Sequence, residues 1–324
     1  MNGRLEREMQ IDEKVVARLK TLPPIFTEWY HYMIASDKTY STASSYINYI
    51  REFMDFYTKG TRDDRFYLKV IPPDIDRYMV YIRTKKVNRK TVKVGDSIRT
   101  VKWSALKTFF DFIQDSKGRI DNPVLHTSRP RMKDEPEIAY LEEAEIKAMM
   151  RSIQQRSSEK LYARDMCIFT LGIATGLSIS SLIQINLEDI DIERGTIEII
   201  DKGQDKHKVY IGDNMKAILE KWLEARNRYF APKTDALFLS IRNQRINEDT
   251  VSLMLQKYAD GVVDKHVTPH VMRHSAATAI YKSTGDLYLC ADFLHHKRIE
   301  TTKRYASMST KNIHQAVMLL DNMI

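Results

Sequence analysis

Long apolar runs are missing from this sequence. The longest uninterrupted ones span four or five residues, such as Ala316 to Leu320, far below the ~20 that a membrane-crossing helix needs. The opening residues, MNGRLEREMQIDEK, are charged and lack the apolar core of a secretory signal, so a cytoplasmic protein with no membrane partner is expected. Cysteine is scarce, with only Cys167 and Cys290 present, each among apolar neighbours. Two cysteines can build neither a zinc ribbon nor a disulfide framework, and buried free thiols suit a reducing compartment. Also lacking are an internal repeat, a low-complexity tract, a glycine-rich phosphate loop and an acidic cluster for a metal. No metal site and no cofactor are expected. The 324 residues, 43% hydrophobic and 29% charged, have the composition of a folded globular protein, and their number favours two domains.

Acid is the charge in deficit: 43 Asp and Glu against 51 Lys and Arg, a formal +8. Such an excess concerns partners more than fold, and a polyanion is the first partner it suggests. The distribution is uneven. Between Arg77 and Lys107 stand ten basic residues (Arg77, Arg83, Lys85, Lys86, Arg89, Lys90, Lys93, Arg99, Lys102, Lys107) and one acid, Asp96. A solvated helix face mixes signs, so this run predicts a phosphate-contacting surface. Its predicted contacts are Lys85, Lys86, Arg89, Lys90, Lys93, Arg99 and Lys102, joined by Arg129, Arg131 and Lys133 further on.

The first half reads as helices. An i, i+3, i+4, i+7 stripe of Tyr46, Ile47, Ile50, Phe53, Met54 and Tyr57 predicts a helix from Ser44 to Tyr57, capped by Ser41, Thr42 or Ser44 and closed by Gly60. Pro72-Pro73-Asp74 opens a second helix carrying Ile75, Tyr78, Met79 and Ile82. A third runs from about Ser97 to Asp115, with Ile98, Val101, Ala105, Leu106, Phe109, Phe112 and Ile113 on its apolar side and Arg99, Lys102 and Lys107 on its polar side. Phe26, Trp29, Tyr30 and Met33 suggest one more before these. Residues 1–22 read as an extension, 23–123 as a helical bundle with a basic face, 124–139 as a basic, proline-containing linker, and 140–324 as a second domain. That domain is mostly helical. Its exception is Thr196 to Ile211, where Ile197, Ile199, Val209 and Ile211 alternate around Lys202-Gly203 as a small hairpin. The fold class expected is therefore mainly α with a small β hairpin or sheet.

Four segments of the second domain carry chemistry: Thr175-Gly176-Leu177-Ser178-Ile179-Ser180-Ser181-Leu182; Asp201-Lys202-Gly203; His270-Val271-Met272-Arg273-His274-Ser275-Ala276-Ala277-Thr278; and Leu294-His295-His296 with Thr301-Thr302-Lys303-Arg304-Tyr305. In this order and spacing they resemble the tyrosine recombinase (phage integrase) family, from about Tyr140 to the end. The helical bundle resembles that family's core-binding domain. The resemblance implies a nucleophile at Tyr305, a His-x-x-Arg pair at His270 and Arg273, a hairpin lysine at Lys202 and a further histidine at His296. His274 reads as a buried histidine that is either structural or supports the site from behind the reacting groups. His266, His270 and His274 are spaced four apart, but Pro269 starts the helix after His266, which disfavours a metal there.

The residue types suit strand transfer at a phosphodiester. Arg273 can grip a phosphate in bidentate fashion. His270 and His296 can donate hydrogen bonds to a phosphorane-like transition state. Lys202 can protonate the departing 5′ oxygen if its positive surroundings lower its pKa. Tyr305, with a reference pKa of ~10, needs that same positive cluster to become a good nucleophile. A covalent intermediate conserves bond energy, so neither nucleotide nor metal is required. This chain departs from the family at Ser178, normally arginine, and at Ser181, normally an acid. A charged donor missing from the transition state is worth ~3 kcal/mol, on the order of a hundredfold in rate. The resemblance further implies a site-specific recombinase or integrase working as a homotetramer on double-stranded DNA with inverted-repeat sites. The N-terminal stretch is too short for an additional arm-binding domain, and an apolar helix from Ile313 to Ile324 is expected to dock on a neighbouring protomer. Readings of other classes are a DNA-binding regulator with a decayed site and a type IB topoisomerase-like relaxing enzyme.

Overall fold

The structure is a computed structural model describing residues 3–61, 63–87, 90–130, 138–200, 206–295, 299–302 and Tyr305. The chain divides into two compact units, residues 1–136 and 137–324.

The first unit begins with α1 (Gly3–Leu19), a helix in the stretch that reads as an extension. Its charges hide a short apolar edge, since Val15 and Leu19 are buried in the unit's core. α2 (Pro24–Ala35) starts on a proline, tolerated because a first-turn N–H has no intrahelical partner, and buries Ile25, Phe26, Trp29, Tyr30 and Met33. α3 (Tyr40–Thr58) begins earlier than its apolar stripe indicates. Its cap is Thr39, whose Oγ1 accepts a hydrogen bond from Thr42 N at 3.2 Å. Lys59 and Gly60 close it, both in the left-handed region. α4 (Pro72–Tyr81) is started by Asp74, whose carboxylate accepts from Ile71 N at 3.0 Å.

The middle of the basic run, between the helices read from the sequence, forms a hairpin. β1 (Thr84–Val87) and β2 (Lys90–Lys93) pair antiparallel with Val87 opposite Lys90. β-Branched Thr84, Val87, Thr91 and Val92 interspersed with lysine suit a solvated ribbon. α5 (Asp96–Lys117) turns its first two turns opposite to the expectation. Ile98 and Val101 are exposed, and Lys102 is buried. The lysine is admitted because its ammonium lies 2.6 and 2.7 Å from the two Glu52 oxygens and 5.6 Å from the centre of the Tyr49 ring. The core itself is aromatic, with Trp29 edge-on to Phe109 at 5.0 Å and Phe53 edge-on to Tyr78 at 5.1 Å. It takes in Val124, and Trp103 Nε1 donates to Thr127 Oγ1 at 3.0 Å. The start of the proline-containing stretch thus packs on the bundle.

The second unit surrounds α7. After α6 (Glu143–Arg156) and α7 (Glu159–Thr175) come α8 (Ile179–Gln184), then an antiparallel sheet of β3 (Ile190–Asp191), β4 (Thr196–Ile200) and β5 (Lys206–Tyr210) in that order. α9 (Asp213–Tyr229), α10 (Glu248–Ala259), α11 (Pro269–Thr284) and α12 (Leu287–Phe293) follow. β4 and β5 form the expected hairpin, with Ile199 opposite His207 and Ile200 opposite Lys206, while β3 is an addition to it. α7 packs against α9 and α11 and carries a buried ion pair, Arg164 Nη2 to Asp165 Oδ1 at 2.7 Å. Leu239 O accepts from Arg164 Nη1, and Tyr258 Oη donates to Asp165 Oδ2 at 2.7 Å. Burial and this carboxylate push the Tyr258 phenol up to about 12. Both units fit the mainly helical class with small sheets.

Candidate active site

α7 ends at Thr175 because Gly176 follows in the left-handed region, its N–H reaching Gly172 O at 3.1 Å. A Cβ at 176 would lie 2.8 Å from Phe293 Cε1 and 3.1 Å from Leu294 Cδ2, so both backbone and space require glycine here. The Gly176 carbonyl accepts from Arg273 Nη1 at 2.6 Å, and Leu294 O accepts from Arg273 Nη2 at 2.7 Å. One guanidinium therefore ties the Thr-Gly-Leu-Ser segment to the turn that precedes His295 and His296.

Ser178 is the N-cap of α8. Its Oγ accepts from Ser181 N at 3.1 Å and lies 2.7 Å from Ser181 Oγ and 2.9 Å from Ser180 Oγ. The two positions that depart from the family pattern thus touch each other, a hydroxyl pair standing where the family has a charged pair.

Thr268 caps α11 and Pro269 is its first residue, leaving His266 outside the helix. His270 is exposed, and one turn later the His274 ring lies 6.3 Å from it, centre to centre. The Tyr305 ring lies 5.8 Å from that of His274, with its Oη 2.7 Å from His274 Nδ1. Tyr305 is only 2% exposed. It belongs to a small cluster with Ile138, Ala277, Tyr281, Cys290 and Leu294, and its N–H reaches Thr302 O at 2.9 Å. In the same cluster burial pushes the Cys290 thiol up to about 11, against the opposing pull of the Arg273 charge. A second pair of rings joins segments distant in sequence: His207 of β5 and His295 have centres 3.6 Å apart and planes tilted by 34°.

Of the residues predicted from sequence, the fold brings both His270 and Tyr305 next to the His274 ring, and Arg273 to the ends of two motifs. Lys202 and His296 lie outside the described residues. His274 stands beside the Tyr305 hydroxyl, and its adjacency to Arg273 and its i+4 spacing from His270 are the sequence signals for that place. His207 carries no motif signal at all. Among the predicted DNA contacts, Lys93 and Arg129 are exposed, the latter with its guanidinium 6.0 Å from the centre of the Trp103 ring. Arg99 pairs with Asp96 at 2.9 Å. Lys102 is buried on Glu52, so its inclusion needs correction: a phosphate would reach it only by displacing that carboxylate. Lys85, Lys86 and Lys90 lie on the hairpin strands, while Arg89, Arg131 and Lys133 lie outside the described residues, as does the terminal segment from Ile313. Among the described residues no group of three or more His, Cys, Asp or Glu converges as for a metal, and no helix is long and apolar enough to cross a membrane.

The model of the phage integrase family matches residues 139–312. The tyrosine recombinase XerC of Escherichia coli O127:H6 (strain E2348/69 / EPEC) is 28% identical over 235 residues, covering 72% of this chain and 76% of that protein. Among solved structures, the XerH site-specific recombinase bound to palindromic difH substrate in a post-cleavage complex aligns with a TM-score of 0.70 at 18% identity, covering 89% of this chain and 82% of that one. A lambda integrase tetramer bound to a Holliday junction aligns with a TM-score of 0.64 at 17% identity, covering 86% and 76%. At these identities the structural likenesses speak to the fold.

Proposed function

The chain belongs to the phage integrase family, and we propose that it breaks and rejoins duplex DNA at specific sites through a 3′-phosphotyrosine bond to Tyr305. Its activity is that of a tyrosine-type site-specific recombinase. The observation that carries the assignment of the nucleophile is the Tyr305 hydroxyl, 2.7 Å from His274 Nδ1 on the helix that also bears His270 and Arg273.

In the proposed step Tyr305 Oη attacks phosphorus and gives its proton to His274. The bond from phosphorus to the 5′ oxygen breaks, and that oxygen takes a proton from Lys202. Arg273, His270 and His296 meet the charge that grows on the nonbridging oxygens. The reverse sequence with a second 5′ hydroxyl releases the tyrosine and joins new strands. These groups carry the charge themselves, so cleavage is expected in EDTA. The hydroxyl pair of Ser178 and Ser181 supplies no cation, which predicts a slow enzyme of the same chemistry. Four protomers on two inverted-repeat sites are the proposed assembly, in line with the lambda integrase tetramer on a Holliday junction.

The test is covalent capture. Nicked suicide duplexes selected from a random-sequence pool should form a complex that survives denaturation with the wild-type chain and none with Tyr305→Phe, which should bind the DNA equally. A complex persisting in Tyr305→Phe would overturn the assignment of the nucleophile. Binding without any covalent product from the wild type would favour the decayed regulator. Relaxation of supercoiled plasmid without site preference would favour the topoisomerase-like reading.

A further inference from the structure

The first two turns of α5 are inverted. Lys102 is 9% exposed, while Ile98 and Val101 stand at 45% and 42%. A single apolar residue on a surface is ordinary, but here an apolar pair is outside and a charge inside. Such a break in the local pattern is expected where function requires it. The helix is also held against rolling back. Lys102 is bonded to both Glu52 oxygens, and the neighbouring Trp103 donates through Nε1 to Thr127 Oγ1 at 3.0 Å. Ile98 and Val101, three residues apart, share one helix face and lie about 4.5 Å apart along its axis.

That face continues onto the β1–β2 hairpin, because Ile98 lines one groove together with Thr84 and Thr91. Thr91, Val92 and Lys93 of β2 are exposed. From Arg83 to Lys93 the chain has six basic residues and no acid. α5 adds little free charge, since Arg99, Lys102 and Lys107 each have a carboxylate within 2.9 Å. The apolar pair therefore stands beside a cationic ribbon, whose complement is a polyanion. Phosphates offer nothing to isoleucine or valine. The apolar group that duplex DNA presents at its base edges is the C5 methyl of thymine, in the major groove. That groove admits an α-helix or a two-stranded ribbon, the two elements that meet here. Successive base pairs are ~3.4 Å apart, so the two side chains can address neighbouring pairs.

We propose that Ile98 and Val101 read thymine methyl groups at adjacent base pairs of the DNA site, with the hairpin on the flanking phosphates. The proposal rests on the reading of this chain as a site-specific recombinase and adds which base it selects. The ribbon supplies affinity for any sequence, and the apolar pair supplies preference. Burying one methyl group corresponds to about fourfold in affinity, so two such contacts favour a thymine pair about sixteenfold.

The experiment uses the full chain and the duplexes captured by the wild type. Each thymine is replaced in turn by deoxyuridine, which lacks only the C5 methyl, and binding is titrated. The wild type should lose about fourfold in affinity at each of two adjacent positions. Ile98→Ala and Val101→Ala should each bind the thymine duplex about fourfold more weakly. Each should then be indifferent to uracil at the position its side chain reads, and keep the wild-type salt slope. Both side chains are exposed and alanine favours a helix, so the two variants should keep the wild-type melting temperature. If no position shows a uracil penalty that either substitution abolishes, the base reading is refuted. Equal losses on thymine and uracil duplexes would mean wedging between base pairs or contact with another protein, and would refute it as well. A wild-type chain that captures no duplex overturns the recombinase reading itself, and the base reading falls with it.

Discussion

In a Ser178→Arg, Ser181→Glu double variant, the hydroxyls now 2.7 Å apart give way to a guanidinium and a carboxylate. Each single change should destabilise. Ser178→Arg removes an N-cap, worth about 1 kcal/mol, from a helix of only six residues. Ser181→Glu alone places a carboxylate where the side chain is 7% exposed, at a cost of roughly 1–3 kcal/mol. Together they compensate, because the guanidinium at 178 supplies the counter-ion for the carboxylate at 181, across positions whose side chains already touch. A coupling of about 1–2 kcal/mol is expected between the two, read as ~2–4 °C of recovered melting temperature per kcal/mol for a unit of this size. The catalytic effect is larger. A charged donor returned to the transition state is worth ~3 kcal/mol, so single-turnover cleavage should rise about a hundredfold. Thermal melts of all four proteins and covalent trapping on suicide duplexes measure both quantities. A folded double variant that cleaves no faster than the wild type would refute the reasoning and mean that another cation already serves that phosphate.

His274→Ala should slow cleavage by about 10²-fold or more, as for loss of a general base, with DNA affinity unchanged; an unaltered rate would remove His274 from the proton path. Neutralising Lys85, Lys86, Arg89 and Lys90 should flatten the salt dependence of DNA binding by about 0.9 for each that touches a phosphate, whereas Lys102→Met should leave the slope unchanged, and binding titrations across salt separate the two. Arg164→Leu leaves Asp165 charged and buried, and should cost about 3–5 kcal/mol in chemical denaturation; a loss below 1 kcal/mol would contradict the buried pair. Removing the chain from Ile313 onward should spare DNA binding by single protomers and abolish cooperative assembly on paired sites, as read by gel mobility and recombination.

Much of this molecule is legible in its sequence wherever one residue's role depends on its neighbours along the chain. The helix starts at Pro72 and Pro269, the β4–β5 hairpin and the aromatic core of the first unit follow from local pattern. What escapes is set by partners distant in sequence. Lys102 reads as part of a basic face until Glu52, fifty residues away, is found beside it. Lys107 meets Asp111 one turn on in the same helix, just beyond the run. The run that looks one-signed along the chain is thus partly balanced in space. α1 hides because its buried edge is reduced to a few residues in a charged helix. Arg164 and Asp165 carry no sign of burial in the sequence, since adjacent opposite charges are common and only tertiary packing buries them. In the candidate site, the order of motifs points to His270, Arg273 and Tyr305. The contacts of His274 with Tyr305 and of His207 with His295 are products of the fold and have no linear signature beyond spacing.

The two carbonyls that hold Arg273 bear on when its freedom of motion is lost. An arginine ordered only on meeting a ligand gives up roughly 1.5–2 kcal/mol of rotamer entropy at that moment. Here the ordering belongs to folding, and in the role proposed for Arg273 an arriving phosphate would meet a side chain that has already been immobilised. That difference corresponds to about ten- to thirtyfold in affinity, obtained with no additional contact to DNA. The same arrangement makes the residue hard to exchange. A lysine at 273 would lack the planar fork that spans Gly176 O and Leu294 O, and both segments would lose their common tether along with the charge's fixed direction. In the proposed role, phosphate binding and the tethering of these two segments therefore rest on one side chain, and a change at Arg273 disturbs both.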